Sequence, residues 1–182
     1  MRSSDDGLFI MQKIGGLTMA ISYKIAQHHV CFPTKVLSDK VGRVLNMVIK
    51  TDTDNGTVCG KGKYVSFDQY EVANAPTGFE GEIIEQAADG NWYVEVKKVD
   101  INDPAILIYE VPEIAENYNS EFTKTSNFYN AASATRTKTV RGLVLTTTDV
   151  YELSEDAFDG TPEVGKKWTI EAGSQKHKFA TD

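Results

Sequence analysis

The chain lacks several features that mark whole classes of protein. No apolar run approaches the roughly 18 residues that a membrane-spanning helix needs, and Ala105–Ile108 is typical of the short runs present. Residues 1–18 do not combine a basic start with a sustained apolar stretch, as a secretory signal peptide does. The sequence therefore predicts no membrane association and no secretory leader.

Cysteine is scarce, with Cys31 and Cys59 as the only two in 182 residues. Two thiols in a chain of this size are too few for a disulfide framework. A chain of this length can also bury a core without covalent cross-links. We therefore predict two free, buried cysteines in a reducing compartment rather than a disulfide.

Positive charge is in short supply. The 19 lysines and arginines stand against 26 acidic residues, which gives a net charge of −7 and a pI of about 5.0. Binding to nucleic acid phosphates needs a clustered basic face, and Lys35, Lys40 and Arg43 are too few and too widely spaced to form one. The composition predicts no nucleic acid partner.

The length and the ordinary apolar content of 41% fit one globular domain. We predict an N-terminal arm at residues 1–20 and a single β-rich domain at residues 21–182, with an irregular segment at residues 113–135. Whether residues 1–18 are native stays open. Gly15-Gly16 could be encoded by a ribosome-binding sequence just upstream of Met19, and we favour Met19 as the natural start.

Short β-type segments separated by turn residues dominate what is present. The clearest is a hairpin of Phe79–Gln86 and Trp92–Lys98, joined through Asp89-Gly90-Asn91. Its second arm alternates apolar and polar residues, as a half-buried antiparallel strand requires. Many short strands at close spacing predict a mainly β fold, either a small β-barrel or a sandwich.

The remaining predicted elements follow the same pattern. Gly60 and Gly62 are expected to introduce a kink or bulge between two strands, and Ser154 is expected to cap one helical turn at Glu155–Phe158. Glu113–Tyr118 fits either a short helix or an extended loop. Further strands are predicted at Ser22–Ala26, Val44–Lys50, Thr57–Cys59, Lys63–Phe67, Ala105–Val111, Arg136–Thr148, Val150–Leu153 and Lys167–Glu171.

The sequence contains only weak candidates for a metal-binding site. His28 and His29 are adjacent, so on a strand they point to opposite faces. His29 and Cys31 would share a face, but no third or fourth ligand of the usual type follows. The Asp52–Gly56 segment resembles the start of a calcium loop, yet no register supplies the bidentate glutamate. We predict a hairpin turn there, and no metal or other cofactor.

Catalytic constellations are not recognisable either. The C-terminal third is rich in carboxylates, which we interpret as a solvated acidic face because nothing fixes two of them in a cleft. These are Asp149, Glu152, Glu155, Asp156 and Asp159. No serine lies in a nucleophile elbow, and Gly60-Lys61-Gly62 is not a phosphate loop. We therefore predict that the chain is not an enzyme, and a small hydrolase ranks last.

The tryptophans leave one binding alternative open. Trp92, Trp168 and Tyr93 could form a platform on which a sugar stacks, provided that Trp92 and Trp168 are exposed together. Packing in the core is the more usual fate of tryptophan.

Two stretches carry a resemblance to a known group. The first comprises Asp54-Asn55-Gly56, Val58, Gly60-Lys61-Gly62 and Glu71–Thr77; the second comprises Arg141–Asp149, Leu153–Gly160, Pro162, Val164-Gly165-Lys166 and Gly173-Ser174. Together they resemble the head decoration or auxiliary capsid proteins of tailed bacteriophages. The match runs roughly from Lys50 to Phe179 and departs from the pattern at Pro112–Ser133.

The resemblance implies a non-enzymatic virion protein, made in the host cytoplasm, that binds the major capsid protein at the capsid surface and self-associates there. Aromatic and apolar residues of the arm and of the irregular segment are the candidate interface: Phe9, Ile10, Tyr118, Phe122, Phe128 and Tyr129. A tail or baseplate component and a host-glycan-binding module are the alternatives.

Overall fold

The computed structural model describes residues 10–14, 17–21, 30–51, 53–74, 76–109, 128–129 and 138–180. For residues 10–14, 17–21, 128–129 and 138 only the backbone is considered. Most of the predicted N-terminal arm and of the irregular segment therefore lies outside the described residues, as do the predicted strand Ser22–Ala26 and the alternatives for Glu113–Tyr118.

The regular elements of the described chain are almost all strands. In order these are β1 (Ile10–Ile14), β2 (Leu17–Ile21), β3 (Cys31–Lys35), β4 (Val44–Ile49), β5 (Thr53–Asp54), β6 (Val58–Tyr64), β7 (Gln69–Ala73), β8 (Glu80–Gln86), β9 (Trp92–Lys98), β10 (Ala105–Ile108), β11 (Phe128–Tyr129), β12 (Lys138–Val144), β13 (Val150–Leu153), β14 (Phe158–Asp159), β15 (Lys167–Ile170) and β16 (His177–Phe179). One short helix, α1 (Leu37–Val41), precedes β4, and a 3₁₀ turn spans Glu155–Ala157.

Five strands form a closed barrel in the order β10-β12-β4-β7-β6, with β6 pairing back onto β10. All pairs are antiparallel except β4 and β7, which run parallel. The prediction of a mainly β fold with a small barrel is confirmed. Closure leaves no barrel strand with a free edge.

A second, seven-stranded sheet has the order β14-β16-β15-β8-β9-β13-β3. At its centre lies the predicted hairpin, in which β8 pairs antiparallel with β9 from Glu80↔Lys98 to Gln86↔Trp92. On β9, Val94 and Val96 are buried while Lys97 is exposed, so the predicted alternation is confirmed.

Strand β10 explains how barrel and sheet share a core. All four of its residues are buried. Ile106 and Ile108 pack inside the barrel with Met47 and Ile49. Because neighbouring side chains on a strand face opposite ways, Ala105 and Leu107 point outward, where they join the core of the second sheet. An uninterrupted apolar run is what a strand buried on both faces requires.

The predicted kink or bulge at the glycines of β6 is confirmed in part. The strand runs unbroken through Gly60 and Gly62, but its register on β7 shifts between Lys61 and Tyr64, as a bulge or similar irregularity does. A Cβ at residue 60 would lie 2.3 Å from the Asn74 carbonyl oxygen, and one at residue 62 would lie 2.4 Å from that of Glu71. These glycines therefore permit a close approach of two backbones.

Two predicted turn features need correction. Gly56 does adopt a positive φ of 86°, but the strands around it are not hairpin partners, since β4 pairs with β12 and β7. Ser154 does not cap the following turn with its side chain. Its hydroxyl accepts a hydrogen bond from the Val30 amide at 2.9 Å, which ties the chain ahead of β3 to the end of β13.

Candidate docking surface at the barrel mouth

One end of the barrel gathers four chain segments. The parallel register Asn46↔Gln69 places the start of β4 beside the β6–β7 turn. The registers Ala105↔Gly60 and Ile106↔Val144 bring the loop before β10 and the end of β12 to the same end. We call this end of the barrel, together with the neighbouring helix α1, the barrel mouth.

A groove of about 700 Å³ opens at the barrel mouth. The buried or half-buried part of its apolar lining consists of Val44, Leu45, Val99, Pro104, Val144 and Leu145, and the exposed side chain of Ile101 also lines it. The charged residues of the lining, Arg43, Lys61 and Asp100, are exposed. The groove thus has an aliphatic floor and a charged rim.

The β6–β7 turn stands beside the groove and has an unusual backbone. Phe67 and Asp68 both have positive φ, at 48° and 57°, and the Gln69 amide donates to the Ser66 carbonyl at 2.9 Å. Two positive φ angles at the centre define a type I′ turn, which normally carries Asn-Gly or Asp-Gly. A left-handed conformation costs a non-glycine residue roughly 1–2 kcal/mol. The phenyl ring is 88% exposed, so burial does not offset this cost.

Aromatic packing supports the same hairpin below the turn. The Tyr64 and Tyr70 rings meet edge to face with centroids 5.7 Å apart. The Lys61 ammonium lies 3.9 Å from the centroid of the Tyr70 ring, within cation–π range. These contacts hold Phe67 at the end of an ordered hairpin.

Helix α1 borders the groove and is anchored from far along the chain. Its N-cap, Val36, has no side chain that can cap it. The buried Asp149 carboxylate caps the helix instead. It accepts hydrogen bonds from the Leu37 amide at 2.9 Å and from the Thr146 amide at 2.7 Å. A carboxylate suits a helix N-terminus, where free amides and the helix dipole both favour negative charge. Asp149 thereby fixes α1 against the end of β12.

Exposed apolar side chains concentrate at the barrel mouth. Ten large apolar residues are exposed in the part of the chain that the structure describes, and four lie elsewhere. The six at the mouth are Leu37, Val41, Tyr64, Val65, Phe67 and Ile101. Single exposed apolar residues are ordinary, whereas a cluster beside a groove marks an interaction surface.

Three of the interface residues predicted from the sequence lie on described strands, and none of these three lines the groove. Ile10 pairs with Ile21 in the β1–β2 hairpin. Phe128 and Tyr129 form β11, opposite Asp54 and Thr53 of β5. Phe9, Tyr118 and Phe122 lie outside the described residues, so the predicted set stays a prediction.

Sequence reasoning missed the barrel mouth. The sequence predicts Phe67 in the strand Lys63–Phe67, because Ser66-Phe67-Asp68-Gln69 lacks the glycine or asparagine that signals a type I′ turn. The polar pair Ser66 and Asp68 was the one local hint that the strand ends there.

The acidic face predicted in the C-terminal third is wrong for two of its members. Asp149 is buried as the cap of α1. Glu152 is nearly buried and accepts from the Asn91 side-chain amide at 2.8 Å; its charge also raises the pKa of Tyr93. Glu155, Asp156 and Asp159 are exposed as predicted.

The prediction of two free, buried cysteines is confirmed, since Cys31 and Cys59 are buried and unpaired with each other. Burial raises the pKa of the Cys59 thiol to about 12, and burial together with the Glu152 charge raises the pKa of Cys31 further. Within the described ranges no three His, Cys, Asp or Glu side chains are grouped to hold a metal ion. His28 and His29 lie outside those ranges.

Trp168 is buried at 1% exposure, so the joint exposure that a Trp92–Trp168 sugar platform requires is not met. Its indole lies 4.5 Å from the ring of buried His177. His177 is held by the Tyr151 hydroxyl, 3.0 Å from Nε2, and by the Ala157 carbonyl, 3.3 Å from Nδ1. This is a packed core network without an approach for a substrate.

Among the described residues, no helix has the length and apolarity to cross a bilayer. Comparisons with protein-family models, with curated proteins and with solved structures found no match to this chain.

Proposed function

We propose that the chain is a phage virion structural protein that decorates the capsid by binding the major capsid protein through the barrel mouth. The observation that carries the proposal is Phe67, which is 88% exposed at a turn position where it costs stability. A large aromatic side chain that helps neither folding nor solubility is accounted for if a partner covers it.

A protein partner suits the chemistry of this surface. Aromatic and aliphatic groups form the centre of protein interfaces, with charges at the rim. Tyr64 and Phe67 supply the aromatic part, and the aliphatic floor of the groove lies alongside. Many copies on one shell would each need only a modest affinity, because neighbouring contacts act together.

The resemblance to decoration proteins supplies the identity of the partner, and the residues that carry it lie partly in the sheet and partly at the barrel mouth. In the sheet, Ala157 and Phe158 are buried beside His177, and Pro162 is buried in the turn before β15. At the barrel mouth, Lys61 and Val144 line the groove.

The test is co-sedimentation of the purified chain with capsids assembled without it. The wild-type chain is expected to pellet with the capsids, and Phe67→Ser is expected to bind at least about tenfold more weakly, as for a central aromatic contact. Phe32→Ser is the matched control, because it makes the same change at an exposed phenylalanine on edge strand β3. Equal binding by Phe67→Ser and wild type would reject the barrel mouth as the contact surface.

The tail or baseplate alternative is separated by electron microscopy of virions with the chain labelled. Label on the capsid supports decoration. Label confined to the tail would show that the chain is a tail or baseplate component instead of a capsid decoration protein.

A contribution from the N-terminal arm is tested with the same assay. Deleting residues 1–18, or replacing Phe9 and Ile10 with aspartate, should weaken attachment if the arm is a second anchor. Attachment at full strength after both changes would remove the arm from the interface.

A further inference from the structure

We infer that the groove at the barrel mouth binds an extended segment of the partner protein in which a carboxylate side chain is flanked by apolar side chains. The inference rests on the proposed function and deepens it by stating the chemistry of the bound segment.

The carboxylate proposed for the bound segment is inferred from two cations at the rim of the groove. Neither Arg43 nor Lys61 has a described carboxylate within ion-pair distance, and the Lys61 ammonium instead lies over the Tyr70 ring. Some cations of this acidic chain have carboxylate partners, as Lys50 does in Glu71, and others have none, so what distinguishes Arg43 and Lys61 is that both line one groove. Two cations without such partners beside one groove give it a charge opposite to that of the chain as a whole.

The apolar side chains proposed for the bound segment are inferred from the aliphatic floor of the groove. Its lining, formed by residues 44–45, 99, 104 and 144–145, carries no charged group. A volume of about 700 Å³ is large enough for several side chains of a bound segment. Covering the aliphatic floor removes apolar area from water, and the flanking walls strengthen a charge pair at the rim by excluding solvent.

A protein segment fits the groove better than single-stranded nucleic acid. Bases bind by stacking on exposed aromatic faces inside a basic channel. The floor here is aliphatic, and the Tyr70 face is already covered by the Lys61 ammonium. The rim also carries Asp100, and Asp68 lies in the adjacent turn, so a run of phosphates would meet two carboxylates.

The experiment compares two double variants with the same net charge. Arg43→Glu with Lys61→Glu reverses the rim, while Lys35→Glu with Lys167→Glu reverses two exposed cations on β3 and β15. Each is titrated against capsids, against overlapping short peptides that cover the major capsid protein, and against a single-stranded oligonucleotide. Wild type is measured at about 0.05 M and about 0.5 M NaCl, since salt screens exposed charges.

The rim variant is expected to bind capsids at least about tenfold more weakly, with the control variant within about twofold of wild type. Peptides that bind wild type should contain Asp or Glu next to apolar residues and should lose affinity at high salt. Asp100→Asn, which keeps an oxygen acceptor for the Asn102 amide, should tighten binding.

Two results would overturn the inference while leaving the proposed function standing. One is that wild type binds capsids and the rim variant binds equally well. The other is that the oligonucleotide binds more tightly than any peptide. If wild type does not bind capsids at all, the proposed function itself fails.

Discussion

Gly81 lies directly beneath the indole of Trp168, and the gap between them has no room for a Cβ. A Cβ at residue 81 would lie 2.0 Å from Cζ2 of Trp168 and 2.3 Å from Cε2. The two residues are register partners between β8 and β15. Trp168 is also in edge contact with Phe79, at 5.4 Å between centroids, so this glycine determines how the largest side chain of the core is seated.

Gly81→Ala should destabilise the fold by about 1–3 kcal/mol, because the new methyl group forces the indole out of its position. Thermal unfolding followed by tryptophan fluorescence measures this, since the same change alters the environment of Trp168. Glu80→Ala on the same strand is the control and should change little, as Glu80 is exposed. A melting temperature for Gly81→Ala equal to that of wild type would show that the indole can move without cost.

Replacing Phe67-Asp68 with Asn-Gly should stabilise the protein while weakening capsid binding. The new pair is the one that type I′ turns prefer, so the strain at both positive φ angles is relieved. A gain of about 1 kcal/mol corresponds to a melting temperature higher by roughly 2–4 °C in a chain of this size. Calorimetry and co-sedimentation on the same sample measure the two effects. A less stable variant would mean that the Phe67 ring contributes contacts that outweigh the strain.

Asp149→Ala should cost about 2–4 kcal/mol of folding stability, because it leaves the Leu37 and Thr146 amides without their acceptor in a buried site. Asp149→Asn keeps one oxygen acceptor and should cost less. Asp156→Ala is the matched control, since this carboxylate of the same acidic region is exposed. Urea denaturation gives the free energies. If Asp149→Ala and Asp156→Ala unfold at the same urea concentration, the remote cap contributes nothing.

The buried thiols should make stability fall at alkaline pH. Burial raises the pKa of Cys59 from the ordinary 9.0 to about 12 in the folded chain. Below the unfolded pKa both states hold the proton and stability is unaffected. Above it the unfolded chain loses the proton while the folded chain keeps it, so the free energy of unfolding decreases from about pH 8.5 up to the folded pKa.

At pH 10 this decrease should be about 1.4 kcal/mol for each buried thiol. Urea denaturation between pH 7 and pH 10 measures the slope, and Cys59→Ala should reduce it. Both native thiols should react with iodoacetamide only after unfolding. Rapid alkylation of the folded protein at pH 8 would contradict their burial.

Features encoded locally could be predicted from the sequence. The β8–β9 hairpin is one, because its turn is built by neighbours: Gly90 adopts a φ of 94°, and the Asn91 amide donates to the Asp89 carboxylate at 3.2 Å. Gly160 is another locally encoded turn, since its φ of 113° is a conformation that glycine adopts readily.

Features that depend on distant partners could not be predicted. The parallel pairing of β4 with β7 and the closure of β6 onto β10 are choices between many similar strands. The burial of Asp149 depends on the Leu37 amide, a residue far away in the chain. The candidate docking surface could not be predicted for a different reason. Phe67 lies in its turn against local preference, and such a conflict leaves only a weak sequence signal.

Closure of the barrel by β12 sets an order on folding. This strand fills the gap between β4 and β10, so β4, β6 and β7 cannot complete the barrel until residues 138–144 have left the ribosome. Edge strand β3 can pair only later still, after its partner strand β13 has been synthesised. Pairings between such distant segments make folding slow, on the order of milliseconds to seconds. During synthesis the nascent chain therefore presents unpaired strands to its surroundings, and the rate at which the last third emerges governs the yield of folded protein.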